Sequence, residues 1–437
     1  MEPVARAISG SARAAGVRFI GRRDSVFALS LIVLGATACK REAPKPQPVA
    51  AVVAQAKPPR FRTTSGELAV GSLDGQIRTA EKALARTGDI AVGAQLVDLY
   101  GERAQFLGTL EDYDRALALS AQLVRDHPND GAAHLARASA LNCLHRFGEV
   151  LTELDLALAE KAKADSVELL RASTYLAMGR SQEAADIFAK ANQRYPRLRT
   201  LGDEGMARAE LGDAPRARGL FQQALQHYRD VSPFPVAWVD FHEAMVEEKL
   251  GHTTEAMAFY GDAVARLPEF AAAQGHLAAL EAATGKPAQA VARLRGLTRS
   301  SDPEFLGQLA ALLPPAEAAP MVRTVAARFD VLLASHPEAY ADHAARFWLG
   351  PGGDAKKALA LAQKNLLVRQ TAEAYELALE AALASKDQVA LCPLAEAADK
   401  LAASSVPLEV ALERAFKACG KPDRAKAEAQ RLEAVAD

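Results

Sequence analysis

The stretch DSVELLRASTYLAMGRSQEAADIFAKANQRYPRL, residues 165–198, decides the fold. Small side chains stand at Ala172, Ala184 and Ala191, rings at Tyr175 and Phe188, and the run is punctuated by Gly179 and Pro196. Small residues let two antiparallel helices approach closely, and the rings fill the space beside them. Gly179 suits the position just after a helix, where a left-handed backbone is needed. Pro196 stops the second helix because its ring has no amide N–H to give. The segment therefore reads as helix, tight turn, helix.

The same register recurs along the chain. Gly179, Gly212, Gly251 and Gly285 are each followed five residues later by Ala184, Ala217, Ala256 and Ala290. Phe188, Phe221, Tyr260 and Leu294 come next, and then Ala191, Ala224, Ala263 and Leu297. Upstream, Ala116 and Pro128 place a unit at 97–130, and a weaker one fills 131–164. Downstream, units begin near 305, 339, 372 and 406. Successive steps are 33 or 34 residues, except one of 39 that holds Val231-Ser232-Pro233-Phe234-Pro235 and reads as a loop insertion. Pro314 and Pro315 interrupt one late unit, and Pro351-Gly352-Gly353 forms the turn of the next.

Position by position, the unit at 165–198 resembles the tetratricopeptide repeat, departing from it at Glu168, where the repeat carries a large residue. The resemblance implies an all-α solenoid of stacked antiparallel helix pairs whose first helices line a concave groove. Together with the N-terminal composition, the chain is expected to divide into a signal peptide (1–38), a Pro-rich basic tether (39–66) and an N-terminal capping-helix region (67–96). A repeat array (97–303) and degenerate repeats with a C-terminal cap (304–437) follow. The capping helix is expected at about 72–86, with Ser72 as its N-cap.

Composition agrees with a helical reading. Of 437 residues, 50% are hydrophobic but only 6% aromatic, an imbalance that comes from Ala and Leu. Strand-like runs of β-branched and aromatic residues bounded by turns are scarce. The formal net charge of −2 leaves no basic footprint for nucleic acid.

The N-terminus reads as an address. Arg22 and Arg23 precede the apolar run Val26–Gly35, and Ala36-Thr37-Ala38-Cys39 closes it. Basic region, short apolar core and small-residue cleavage site are the parts of an export signal, and the run is too short to span a bilayer. Two fates are open. Cys39 after small residues resembles a bacterial lipobox, which implies lipidation of its thiol and cleavage just before it; Ala36 departs from the usual Leu of that motif. Cleavage after Ala38 without lipidation would release a soluble periplasmic protein. The placing of a rare Cys favours the lipoprotein. Met1–Gly21 is long for a leader, and Val17 is an alternative start. The tether carries Lys40, Arg41, Lys45, Lys57, Arg60 and Arg62 against Glu42, and five prolines keep it extended. Cys392 and Cys419 would bridge neighbouring helices in an oxidising compartment, or sit as small buried apolar residues, and spacing does not choose between them.

No catalytic, cofactor-binding or metal-ligating constellation emerges. His242-Glu243 is followed by Val246 where a second zinc-binding His would stand. Gly350, Gly352 and Gly353 read as turn residues beside Pro351. Asp342-His343 with Arg346 and Trp348 is better read as packing and capping than as a polar site. The expectation is a protein that is not an enzyme.

In the repeat family the groove is lined from positions 2, 5, 9, 12 and 13 of the first helix. That register picks out Trp238, Phe241, Met245, Glu248 and Lys249, with Arg199 and Met206 from the preceding unit. The first three share one helix face, either as groove anchor or as core. Leu135, Ser139 and Asn142 face the groove in the 131–164 unit. The expected role is a lipid-anchored scaffold on the periplasmic face of the bacterial cell envelope, at the outer membrane. It would bind a peptide or helix of another envelope protein. The alternative is a soluble periplasmic carrier or sensor for a polysaccharide or small ligand.

Overall fold

The structure is a computed structural model and describes residues 62–401 and 405–436. Cys39, the signal and most of the tether lie outside the described residues. The described residues form twenty-one α-helices and no strand. They run α1 (Gly66–Thr87), α2 (Ile90–Leu107), α3 (Glu111–Asp126), α4 (Gly131–Cys143), α5 (Phe147–Ala159), α6 (Ala164–Met178) and α7 (Ser181–Arg194). Next come α8 (Leu198–Glu210), α9 (Ala214–Gln226), α10 (Pro233–Lys249), α11 (Thr253–Arg266), α12 (Ala271–Ala283), α13 (Pro287–Arg295) and α14 (Pro303–Leu312). The chain ends with α15 (Pro315–Ser335), α16 (Pro337–Leu349), α17 (Ala355–Leu366), α18 (Ala372–Ser385), α19 (Gln388–Ala398), α20 (Val406–Ala418) and α21 (Pro422–Ala436).

Each helix packs on the next, and most even-numbered helices also touch the even-numbered helix that follows, so these make the inner layer of a solenoid. The local chemistry is the one the repeat dictates. Gly179, Gly212, Gly251, Gly285 and Gly420 all adopt positive φ at helix ends. Ala184, Phe188, Ala217, Phe221, Ala256 and Tyr260 are fully buried between paired helices. Each large side chain buried this way contributes about 1.5–3 kcal/mol.

Two boundaries differ from the sequence expectation. α1 begins at Gly66, because Ser65 caps it by accepting from the Leu68 amide at 3.3 Å. Ser72 lies inside the helix and accepts from the Gln76 side chain instead. The 39-residue step is a loop insertion only in part: Val231 and Ser232 lie in the α9–α10 connection, while Pro233, Phe234 and Pro235 enter the helix. Pro233 opens α10, where a missing amide N–H costs nothing, and the extra residues lengthen that helix to 17 residues. They also supply Phe234, whose ring meets Phe106 of α2 with centroids 4.8 Å apart.

The solenoid winds so tightly that successive turns touch. The Thr64 amide donates to the Val231 carbonyl at 2.7 Å, and the Ser301 amide to that of Gly108 at 2.9 Å. Ser300 Oγ reaches the same Gly108 carbonyl across a sequence separation of 192. His145 Nδ1 contacts the Glu338 carbonyl across 193. Arg299 pairs with Asp74, Arg328 with Glu111 and His336 with Asp114 along the same seam. Beneath these links Phe106 packs on Phe270, and one hydrophobic core runs from Ala69 to Leu277. These links span sequence separations of 167 to 225, so with 34 residues per repeat a turn takes roughly five to six and a half repeats.

Candidate functional site: the covered inner face

The expected groove residues lie on α8 and α10, and the structure places them inside. Trp238 is 2% exposed, Phe241 4%, Met245 5% and Met206 5%. Arg199 is half-buried, stacks its guanidinium 4.0 Å from the Trp238 ring centre and bonds Asp203 at 3.1 Å. Trp238 leans against Gly202, where an added methyl group would stand 2.5 Å from the indole. Phe241 packs on Phe270 and Tyr260. Met206 and Met245 meet near Glu373 of α18, from the next turn. The stripe is thus one continuous face, as its i, i+3, i+7 spacing requires; neighbouring helices cover it, with Glu373 of the next turn beside Met245 and Tyr340 and His343 near Phe241.

Glu248 and Lys249 are buried on the same helix. Glu248 accepts from Tyr260 Oη at 2.7 Å and pairs with His276 at 3.2 Å, while Lys249 is held by Glu210. Asn142 accepts from the Thr174 hydroxyl at 3.0 Å, and Ser139 donates to Asp98. Leu135 packs at the edge of the α4–α5 core.

Where α2 and α3 of one turn face α16 of the next, a cavity of about 40 Å³ remains, lined among others by Gln105, Tyr113, His145, Phe241, Tyr340 and His343. On this measure one water needs ~10–15 Å³, so there is room for about three. Burial holds His145 neutral, at about 3. Beside the cavity Asp342 pairs with Arg369 at 3.0 Å and His343 with Glu304 at 2.6 Å. Burial pushes the Asp342 carboxyl up, but His343, Arg369 and Arg346 outweigh it and hold the group below its ordinary range. Asp342 and His343 thus each have a buried partner on another helix or loop, and the His343 ring also lies 3.7 Å from the Asp342 carboxylate. Among the described residues no group of three or more His, Cys, Asp or Glu is placed to hold a metal ion. No helix among them is long and apolar enough to cross a membrane.

Cys392 of α19 and Cys419 at the end of α20 form a disulfide with Cα atoms 5.8 Å apart, tying the last repeats together. Cys143 is free and buried, and burial pushes its thiol pKa up.

Across residues 167–197 the chain matches the tetratricopeptide repeat family. The chain thus carries a tetratricopeptide repeat, and its described helices stack in pairs as such repeats do. No curated protein matches the chain significantly. Among solved structures it is similar to yeast Tom70, at 12% identity over 84% of this chain and 89% of that one, with a TM-score of 0.34. A tetratricopeptide repeat protein of Parabacteroides merdae matches at 16% identity over 71% and 99%, with a TM-score of 0.34. The human IFIT1 dimer with m7Gppp-AAAA matches at 13% identity over 86% and 96%, with a TM-score of 0.38. What sequence reasoning missed in this repeat protein is the cover over its inner face. No local spacing signals it, because part of the cover comes from residues far along the chain, such as Glu373 of α18.

Proposed function

We propose that this repeat protein is an exported, lipid-anchored scaffold of the bacterial cell envelope, acylated at Cys39 and devoted to binding other proteins rather than to catalysis. The Cys392–Cys419 disulfide carries the export reading, because such bonds persist in oxidising compartments and are rare in the cytosol. The leader ending in Ala36-Thr37-Ala38-Cys39 supplies the address, and the basic tether sets the array off from an anionic lipid surface.

The partner is a protein segment, a peptide or helix of another envelope component. The loops and the outer helices are open to it as they stand. A segment entering the inner face must part the turns that cover Trp238, Phe241 and Met245. A carrier for a polysaccharide or small ligand would need a pocket of ~300 Å³ or more, and the 40 Å³ cavity between the turns does not serve that role.

The experiment is intact mass and membrane fractionation of the protein from its native host, beside a Cys39→Ala variant. The expected mature protein begins at Cys39, carries acyl mass and leaves the membrane in the variant. An unmodified soluble protein would remove the anchor, and a full-length chain in the cytoplasm would remove export as well.

A further inference from the structure

α10 has a second buried face. Asp240, Glu243 and Glu247 follow i, i+3, i+7 spacing and turn towards α9 and α11, all three buried. Arg266 of α11 reaches Asp240 at 2.9 Å. Arg218 of α9 grips Glu247 through two bonds of 2.5 and 2.7 Å, and His252 adds a third at 2.7 Å. Three carboxyls therefore meet two arginines. Among the described residues no basic side chain forms an ion pair with Glu243, which lies between the two pairs.

The surrounding charges offer Glu243 little relief. Burial, Asp240 and Glu247 push it up to about 8, and only Arg218 acts the other way. Asp240 is itself pushed up to about 7, by burial and by the negative charge of Asp262 on α11, against the pull of Arg266. Charged groups on the other neighbours are engaged elsewhere: Glu204 of α8 by Arg208 and Arg216, Glu210 by Lys249, and Asp74 of α1 by Arg103 and Arg299.

We propose that Glu243 is a proton-operated fastening for α10, protonated in the folded array near neutral pH and loosening the α9–α10–α11 layer when it ionises. The opposite face of α10 carries Trp238, Phe241 and Met245, so the same proton governs how firmly the covered stripe is held. Folding takes up a proton at this carboxyl between its ordinary range and about 8. Stability from this group is accordingly lost as pH rises across that window.

The test compares the mature protein with its Glu243→Gln variant from pH 5 to pH 9. Gln keeps the shape and neutrality of the protonated acid. The wild-type melting temperature should fall with rising pH more steeply than that of the variant, and at pH 9 the variant should melt several degrees higher. Hydrogen exchange of wild-type α10, corrected for intrinsic rates, should lose protection over the same interval. Equal pH slopes in the two proteins would overturn the proposal. So would wild-type α10 protection that stays flat from pH 6 to pH 9, a reading that does not depend on the variant folding.

Discussion

The backbone N–H of Gln370 donates to the carbonyl of Met178 at 3.0 Å, joining the start of α18 to the end of α6, a full turn of the solenoid away. Gly179 makes the approach possible. A Cβ there would stand 2.4 Å from the Gln370 carbonyl oxygen, and the residue also has φ near +91°. One glycine thus ends a helix and lets two turns cross backbone to backbone.

The two roles separate by mutation. Gly285 has a similar φ of +83° but nothing within 4 Å of its missing Cβ. Gly285→Ala should therefore cost only the left-handed backbone, about 1–2 kcal/mol. Gly179→Ala carries the same cost plus displacement of the neighbouring turn, and roughly 3 kcal/mol or more is expected. Urea unfolding of both variants checks the difference, and equal losses would mean the turns do not touch at Gly179.

The repeat was legible because it is written locally: helix, Gly, Ala, ring and Pro recur at one spacing, and each does its work within about 34 residues. Closure of the turns was not, since it accumulates from a small rotation per repeat that no single unit encodes. Trp238, Phe241 and Met245 show the limit well. Their spacing places them on one face, but periodicity cannot say whether solvent, a partner or Phe270 lies opposite. The reading of the 39-residue step missed its helical part for a related reason, since Pro233 and Pro235 look like loop residues until the first turn of a helix is considered. The Cys392–Cys419 bridge also depended on helix placement that spacing alone could not supply.

Trp238 gives an optical check on the covered face. In a Trp348→Phe background its emission should be blue-shifted and resistant to acrylamide, as for a side chain 2% exposed. Trp238→Ala should cost ~3–5 kcal/mol, the usual loss for a buried large aromatic. Free quenching of Trp238 in the folded protein would show an open inner face.

Reduction should act at one end of the array. The disulfide closes a loop with a sequence separation of 27, for which chain entropy gives about 3–4 kcal/mol. Cys392→Ser with Cys419→Ser should raise hydrogen exchange in α19–α21 first and leave α6–α9 largely protected.

Arg369 and Asp342 make a buried pair whose loss should be costly. Arg369→Leu leaves a carboxylate without its main partner, and about 3–5 kcal/mol is expected. Because the Asp342 carboxyl is held below its ordinary range, its contribution is present above that range and is lost as pH falls through and below it. Wild-type stability between pH 5 and pH 2 should therefore drop more steeply than that of the variant.

The closure of the turns is tested most directly by a covalent bridge between them. Glu111 and Arg328 pair at 2.7 Å across a sequence separation of 217, on exposed side chains. A protein carrying Glu111→Cys and Arg328→Cys, treated when dilute with a short bis-maleimide, should yield a monomer with one reagent bridging α3 to α15, located by peptide mass. A protein that stays helical yet takes up two separate reagent molecules, with no bridge between α3 and α15, would contradict the closed solenoid and return Trp238, Phe241 and Met245 to an open groove.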